Sequence, residues 1–184
     1  MQNQDYLLKL KELIKKYSLL VADEPKFKLV SGKLSKYYID LKQVTFDPEG
    51  IYILGNVLYD MLKPFGVDAT GGLTLGADPM AYAVSIISFE KGRPIKPFVV
   101  RKEPKDHGMG KQIEGKLENV KNVAILEDVS TTGGSSLKAA NVCKNASLNV
   151  VGIFTIVDRE EGAKENIEKE GFKFYSVFKL SELL

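Results

Sequence analysis

Apolar stretches alternating with helix-patterned ones constrain this 184-residue chain more than any other feature. VDATGG, IKPFVVRK, NVAILED, NVVGIFTIVDR and FKFYSVF read as strands, the long ones apolar at nearly every position. ADPMAYAVSIISFEKG, SSLKAANVCKNA and residues 160–170 fall between them with helical character. A strand without apolar/polar alternation is buried on both faces, and parallel neighbours need a crossover, usually a helix. The expected fold is α/β, a mostly parallel twisted sheet with helices on both faces. In such a sheet ligands bind beyond the carboxyl ends of the strands, so the residues that follow each strand are the candidates for function.

The first 45 residues read as an appendage, within one domain spanning 1–184 that shows no repeat or linker. Leu7, Leu10 and Ile14 share one face of a helix over 5–17. KFKLVSGKLSKYYIDLKQV then reads as a β-hairpin, with Phe27 and Leu29 in one arm, a turn at Ser31–Lys33, and Tyr37, Tyr38, Ile39 and Leu41 in the other. Asp47-Pro48 signals the start of a helix through Ile51, Leu54, Leu58 and Leu62.

Composition narrows the classes. Twenty-six Lys and Arg against 24 Asp and Glu give no overall basic field for nucleic acid. One cysteine, Cys143, allows neither an internal disulfide nor a cysteine-based zinc site, and it reads as core. One histidine, His107, excludes a His-rich metal site but not a catalytic one. No apolar run approaches the roughly 18 residues of a membrane span. The N-terminus lacks a signal-peptide apolar core, so the expectation is a soluble cytoplasmic protein with no membrane partner.

After NVAIL comes Glu127-Asp128-Val129-Ser130-Thr131-Thr132-Gly133-Gly134-Ser135, and then a helix. Ser130 to Ser135 offers hydroxyls, closely approachable backbone N–H groups and a helix N-terminus, each favourable to phosphate. The adjacent carboxylates would repel that phosphate if they touched it. A sugar phosphate resolves the conflict: ribose hydroxyls donate to Glu127 and Asp128 while the turn holds the 5′-phosphate. The blander reading is an ordinary strand–turn–helix with an acidic bias. VAILEDVSTTGGSS resembles the 5-phosphoribosyl 1-diphosphate (PRPP) signature of the type I phosphoribosyltransferases, which implies those same roles.

Residues 101–116 carry five cations (Arg101, Lys102, Lys105, Lys111, Lys116) and three anions (Glu103, Asp106, Glu114), so the chain's whole excess of +2 lies there. A long polar loop is expected over about 103–119, loosened by Gly108, Gly110 and Gly115. Such a loop suits a polyanion that is covered and then released, or is a solvated surface loop. The string RKEPKDHGMGKQIEG resembles the catalytic loop of the orotate phosphoribosyltransferases. That resemblance implies Lys105 and His107 closing over a neighbouring subunit's site, Arg101 and Lys102 on pyrophosphate, and Asp106 as an acid placed for proton transfer.

Base recognition is expected from the appendage. Ser31-Gly32-Lys33 with Ser35, Tyr37, Tyr38 and Asp40 resembles the family's base-binding hood. Lys33, Tyr37 and Tyr38 are the candidates to cover orotate, and since adjacent residues face opposite sides of a strand, one tyrosine points at the base, Tyr37 being the one favoured. Arg159 ends the long strand and resembles the family's contact to the orotate carboxylate, with Thr131 as a second contact. Its plainer alternative is a salt bridge to Glu160 or Glu161. Gly71 to Pro79 matches the family's pyrophosphate loop, and Asp78 there either orients a metal-bound water or caps the next helix, the reading favoured. Val30 and Gly76 depart from the family, many members of which have Lys at these places. The resemblance implies transfer of the phosphoribosyl group from PRPP to orotate in pyrimidine (UMP) biosynthesis. It implies Mg²⁺, carried mainly by PRPP with Asp128 open as a direct contact, and a homodimer with shared active sites.

Overall fold

The computed structural model describes residues 3–28, 32, 34–104 and 111–184. Helix α1 (Asn3–Leu13) runs into a wider helical turn (Ile14–Ser18). Short strands β1 (Leu19–Val21), β2 (Phe27–Lys28), β3 (Leu34–Ser35) and β4 (Tyr37–Ile39) follow, then α2 (Lys42–Thr45) and α3 (Pro48–Leu62). The alternating part comprises β5 (Ala69–Leu73), α4 (Ala77–Glu90), β6 (Lys96–Val100), β7 (Ile113–Gly115), β8 (Asn122–Ser130), α5 (Gly134–Asn145), β9 (Asn149–Asp158), α6 (Ala163–Lys169), β10 (Phe174–Lys179) and α7 (Leu180–Leu183).

Six strands form the main sheet in the order β10-β9-β8-β5-β6-β7, all parallel except the edge pair β6–β7. Strand order reverses between β8 and β5, which opens a crevice beyond their carboxyl ends. Alternate residues of the central strands feed two apolar clusters. Leu126, Phe154 and Ile156 join the cluster that includes residues of α1, α3 and α4. Val123, Ile125 and Ile153 join the one that includes residues of α5 and α6. The sheet is thus covered on both faces, as the uninterrupted apolar strands require. Phe154 is fully buried, stacks on Tyr175 with ring centroids 4.8 Å apart, and meets Phe65 edge-on at 5.1 Å. Burying such a ring contributes about 2–3 kcal/mol.

Several expectations are corrected. On α1 the buried face is Tyr6, Leu10 and Ile14, while Leu7 is exposed. The spacing 6, 10, 14 keeps one helix face, and Leu7 lies off its centre. The hairpin is larger than expected. Tyr37–Ile39 pairs antiparallel with Leu19–Val21, and Phe27–Lys28 pairs with Leu34–Ser35 inside it. The extra arm, Leu-Leu-Val, continues straight from a helix with no turn residue to mark its start. The polar loop expected over 103–119 contains β7, an edge strand whose backbone pairing with Phe98–Val100 needs little apolar side chain. The helix expected at 160–170 begins only at Ala163, because Glu160 and Gly162 have φ of +60° and +96°, incompatible with a right-handed helix. Asp47 does cap α3, accepting the Gly50 N–H at 2.8 Å.

Candidate functional site

The carboxyl edge of the sheet collects four connections: Thr74–Gly76 after β5, the segment after β6, Thr131–Gly133 after β8, and Arg159–Gly162 after β9. β8 is longer than NVAILED suggests and runs through Ser130, which pairs with Asp158 of β9. Glu127 and Asp128 therefore project from the strand itself, and only Thr131–Gly133 forms the turn. Ser130 is buried, and its Oγ has no hydrogen-bond partner among the described residues.

The acid pair is half-buried where the apolar part of β8 ends. Burial, and then the Asp128 carboxylate beside it, push the Glu127 carboxyl up to about 8. Asp128 Oδ1 accepts the N–H of Val129 at 2.9 Å. Its carboxylate lies against Gly76, where a β-carbon would stand 2.8 Å from Oδ1. A side chain at position 76 would thus crowd the carboxylate. The peptide bond Thr74–Leu75 is cis. Asp78 accepts a 2.6 Å hydrogen bond from the Thr74 hydroxyl instead of capping α4, and burial raises its carboxyl while that bond opposes the rise.

The turn after β8 presents groups that can bind an anion. Gly133 has φ of +82°, and a β-carbon there would meet Ile167 of α6 at 2.9 Å, so only glycine fits between α5 and α6. The first bond of α5 runs from the Leu137 N–H to the Gly133 carbonyl, leaving the N–H groups of Gly134, Ser135 and Ser136 directed past the helix end. Thr132, Gly134 and Ser135 are exposed, and Thr131 is half-buried. Asn166 of α6 donates to the Thr132 carbonyl at 2.9 Å and fixes the turn from outside.

The basic segment is anchored at its base. The Arg101 N–H donates to the Gln112 carbonyl at 2.9 Å, and Gln112 Nε2 donates to the Arg101 carbonyl at 3.0 Å, closing a hairpin neck between β6 and β7. Arg101 pairs with Glu114 at 3.2 Å, and Lys102 is exposed. Glu103 reaches Lys138 of α5 at 3.0 Å, which ties this neck to the helix that carries the anion turn. Lys105, Asp106 and His107 lie outside the described residues, as do Val30, Ser31 and Lys33.

Arg159 is 5% exposed. Its Nε donates to Glu161 Oε1 at 2.8 Å, Nη1 and Nη2 both donate to the Tyr37 carbonyl at 3.3 Å, and Nη2 also donates to Ser35 Oγ at 3.3 Å. Its own N–H donates to the Ser130 carbonyl at 2.9 Å. Of the two readings of Arg159, the pairing with Glu161 is present, and its main chain stands beside β8. Tyr37 packs its ring against the larger apolar cluster, so the part of it that reaches Arg159 is the main chain. Tyr38 stacks on Phe27 at 5.6 Å and is exposed.

Sequence reasoning missed Lys42. Hydrogen bonding to Asp40 holds its ammonium above the ordinary range, burial opposes, and both the Asp40 and Asp128 charges add to the rise. The Asp40-x-Lys42 spacing was the available signal. Cys143 is buried on α5 with its thiol pushed up to about 12, inert as expected of a core residue. Among the described residues no cluster of three or more His, Cys, Asp or Glu could hold a metal ion. Two adjacent carboxylates fit a largely hydrated Mg²⁺ that arrives with a diphosphate, because that ion binds through one or two carboxylates plus substrate phosphates.

No family model matches the chain. The orotate phosphoribosyltransferase of Aquifex aeolicus is 64% identical over 176 residues, covering 96% of each chain. That of Pyrococcus horikoshii is 46% identical over 159 residues, 85% of this chain and 83% of its own. The structure of Mycobacterium tuberculosis orotate phosphoribosyltransferase in complex with PRPP matches with a TM-score of 0.78 and 36% identity, over 97% of this chain and 98% of that one. The adenine phosphoribosyltransferase of Leishmania tarentolae, 16% identical with a TM-score of 0.64, shares the fold. With identity at this level across nearly the full length of both chains, the chain belongs to the orotate phosphoribosyltransferase family.

Proposed function

We propose that the crevice at the carboxyl edge of the sheet is where this chain carries out its family's reaction: transfer of the 5-phosphoribosyl group of PRPP to orotate, giving orotidine 5′-monophosphate and pyrophosphate in pyrimidine synthesis. One observation carries the assignment of the crevice. An acid pair and an exposed hydroxyl–glycine turn at a helix N-terminus follow one another at the end of β8, the strand beside the point where strand order reverses. Glu127 and Asp128 accept the ribose hydroxyls. Thr131 to Ser135 holds the 5′-phosphate on the N–H groups of α5. Buried Ser130 backs the turn rather than lining it.

Orotate N1 attacks C1 of the ribose as pyrophosphate leaves, through an oxocarbenium-like state. N1 is available as an anion, so positioning and charge stabilisation carry the catalysis. Arg101, Lys102, Lys105 and His107 neutralise the leaving diphosphate, and Asp106 takes the part of the acid that moves a proton. Arg101 is half-exposed in its pair with Glu114, so turning to the diphosphate breaks only a weak surface contact. Arg159, Thr131 and Lys33 receive orotate, and Tyr37 contributes through its main chain. Asp128 would help to hold the Mg²⁺ that PRPP brings, and that ion would supply charge neutralisation for the diphosphate.

The working unit is a homodimer in which the basic loop serves the neighbouring site. Support comes from α4, which exposes Tyr82, Ile86 and Phe89 at helical spacing, with Leu75 exposed just before it. A continuous apolar stripe of this kind marks a protein contact. A cytoplasmic location goes with this chemistry, and no helix among the described residues is long and apolar enough to cross a membrane.

Orotate absorbance followed after addition of PRPP and Mg²⁺ should decay, and Asp128→Asn should lower kcat/KM for PRPP by about a hundredfold. Turnover only with another base would overturn the assignment. Chains carrying Lys105→Ala mixed with chains carrying Arg159→Ala should regain activity that neither has alone, since one site in the hybrid is intact. Absence of any recovery contradicts shared sites. A third expectation concerns protons. Glu127 titrates near 8 against an ordinary 4.5, so in the free protein it stays protonated until pH rises through about 8. PRPP with Mg²⁺ favours the ionised form. Binding at pH 7.5 should therefore release a proton, seen as a dependence of calorimetric heat on buffer ionisation enthalpy, and Glu127→Gln should abolish that release. Equal release by both proteins would place the proton elsewhere.

A further inference from the structure

Arg159 has little left to give a substrate. A guanidinium has five N–H donors. Four hydrogen bonds already draw on them: one to Glu161, two to the Tyr37 carbonyl and one to Ser35 Oγ. The one N–H left over, on Nη1, offers a carboxylate a single weak contact, and a firmer one needs Nε as well. An incoming carboxylate therefore needs one present partner to leave.

The three partners differ in what leaving costs. The Tyr37 carbonyl belongs to β4, which is paired with β1, and stripping a guanidinium from a main-chain acceptor leaves it unsatisfied beside a buried side chain. Ser35 Oγ also accepts the Tyr37 N–H at 3.0 Å, so it is fixed within the hood. Glu161 is different. It sits on the connection between β9 and α6, its side chain is 26% exposed, and its carboxylate has water to return to. Replacing it with a ligand carboxylate exchanges like for like, so the buried Arg159 charge is never left alone.

We propose that Glu161 is a displaceable stand-in for the carboxylate of orotate, a residue that keeps the buried Arg159 charge paired until the base arrives. The proposal rests on Arg159 being the contact for that carboxylate. A base without a carboxylate cannot make the exchange and leaves the Arg159–Glu161 pair closed.

The test is steady-state kinetics of the wild type, Glu161→Gln and Glu161→Ala. Both variants should lower KM for orotate by roughly three- to tenfold, the range of a partly exposed ion pair. KM for PRPP should hold, and the effect should fall on KM rather than kcat. Inhibition by uracil should be the same in all three proteins. An unchanged or raised KM for orotate would overturn the proposal. In particular, a rise in Glu161→Ala that Glu161→Gln rescues would make Glu161 an ordinary support for Arg159. A wild type that does not turn over orotate at all would remove the functional reading itself, an outcome distinct from either.

Discussion

β8 changes character at one residue, and the site is organised around that change. From Val123 to Leu126 its side chains are buried on both faces of the sheet, and Glu127 and Asp128, which follow, are ionisable and half-buried. The apolar part holds the strand between β5 and β9 and cannot slip without carrying carboxylates into the core. The acid pair is therefore placed by the packing below it. The same burial raises the Glu127 carboxyl, so the force that positions the pair also sets its proton affinity. Gly76 and the anion turn then close on the strand end from either side, each with a glycine where a β-carbon would collide.

A second level of organisation joins elements far apart in the chain. Arg159 ties β9 to the hood through Tyr37 and Ser35, and to β8 through its own main chain. Glu103 and Lys138 tie the neck of the basic loop to α5. Base, sugar phosphate and leaving group are thus expected at positions linked by hydrogen bonds and one exposed ion pair. Exposed pairs are individually weak. That is useful in a site where a loop and a carboxylate must both let go and return.

The parallel sheet was legible because uninterrupted apolar runs allow little else, and the turn into α5 because hydroxyls, glycines and a helix start coincide in one short segment. The hood was only half legible. Leu19–Val21 follows a helix without a break, so nothing local marks it as the partner of Tyr37–Ile39. β7 escaped notice because an edge strand is made by backbone pairing rather than by apolar pattern. The engagement of Arg159 with Ser35 and the Tyr37 carbonyl lies across more than 120 residues, a distance that no spacing rule reads. For Lys42 the spacing to Asp40 is local, but its bearing on Asp128 arises from the fold.

The central claim is that the end of β8 receives a sugar phosphate, with its hydroxyls on the acid pair and its phosphate on the turn. A crystal structure of the protein with PRPP and Mg²⁺ tests this most directly. The account predicts the 5′-phosphate on the N–H groups and hydroxyls of Thr131 to Ser135, with both ribose hydroxyls within hydrogen-bond distance of Glu127 and Asp128. A ribose turned away from the acid pair, or a 5′-phosphate seated at another helix, would contradict it.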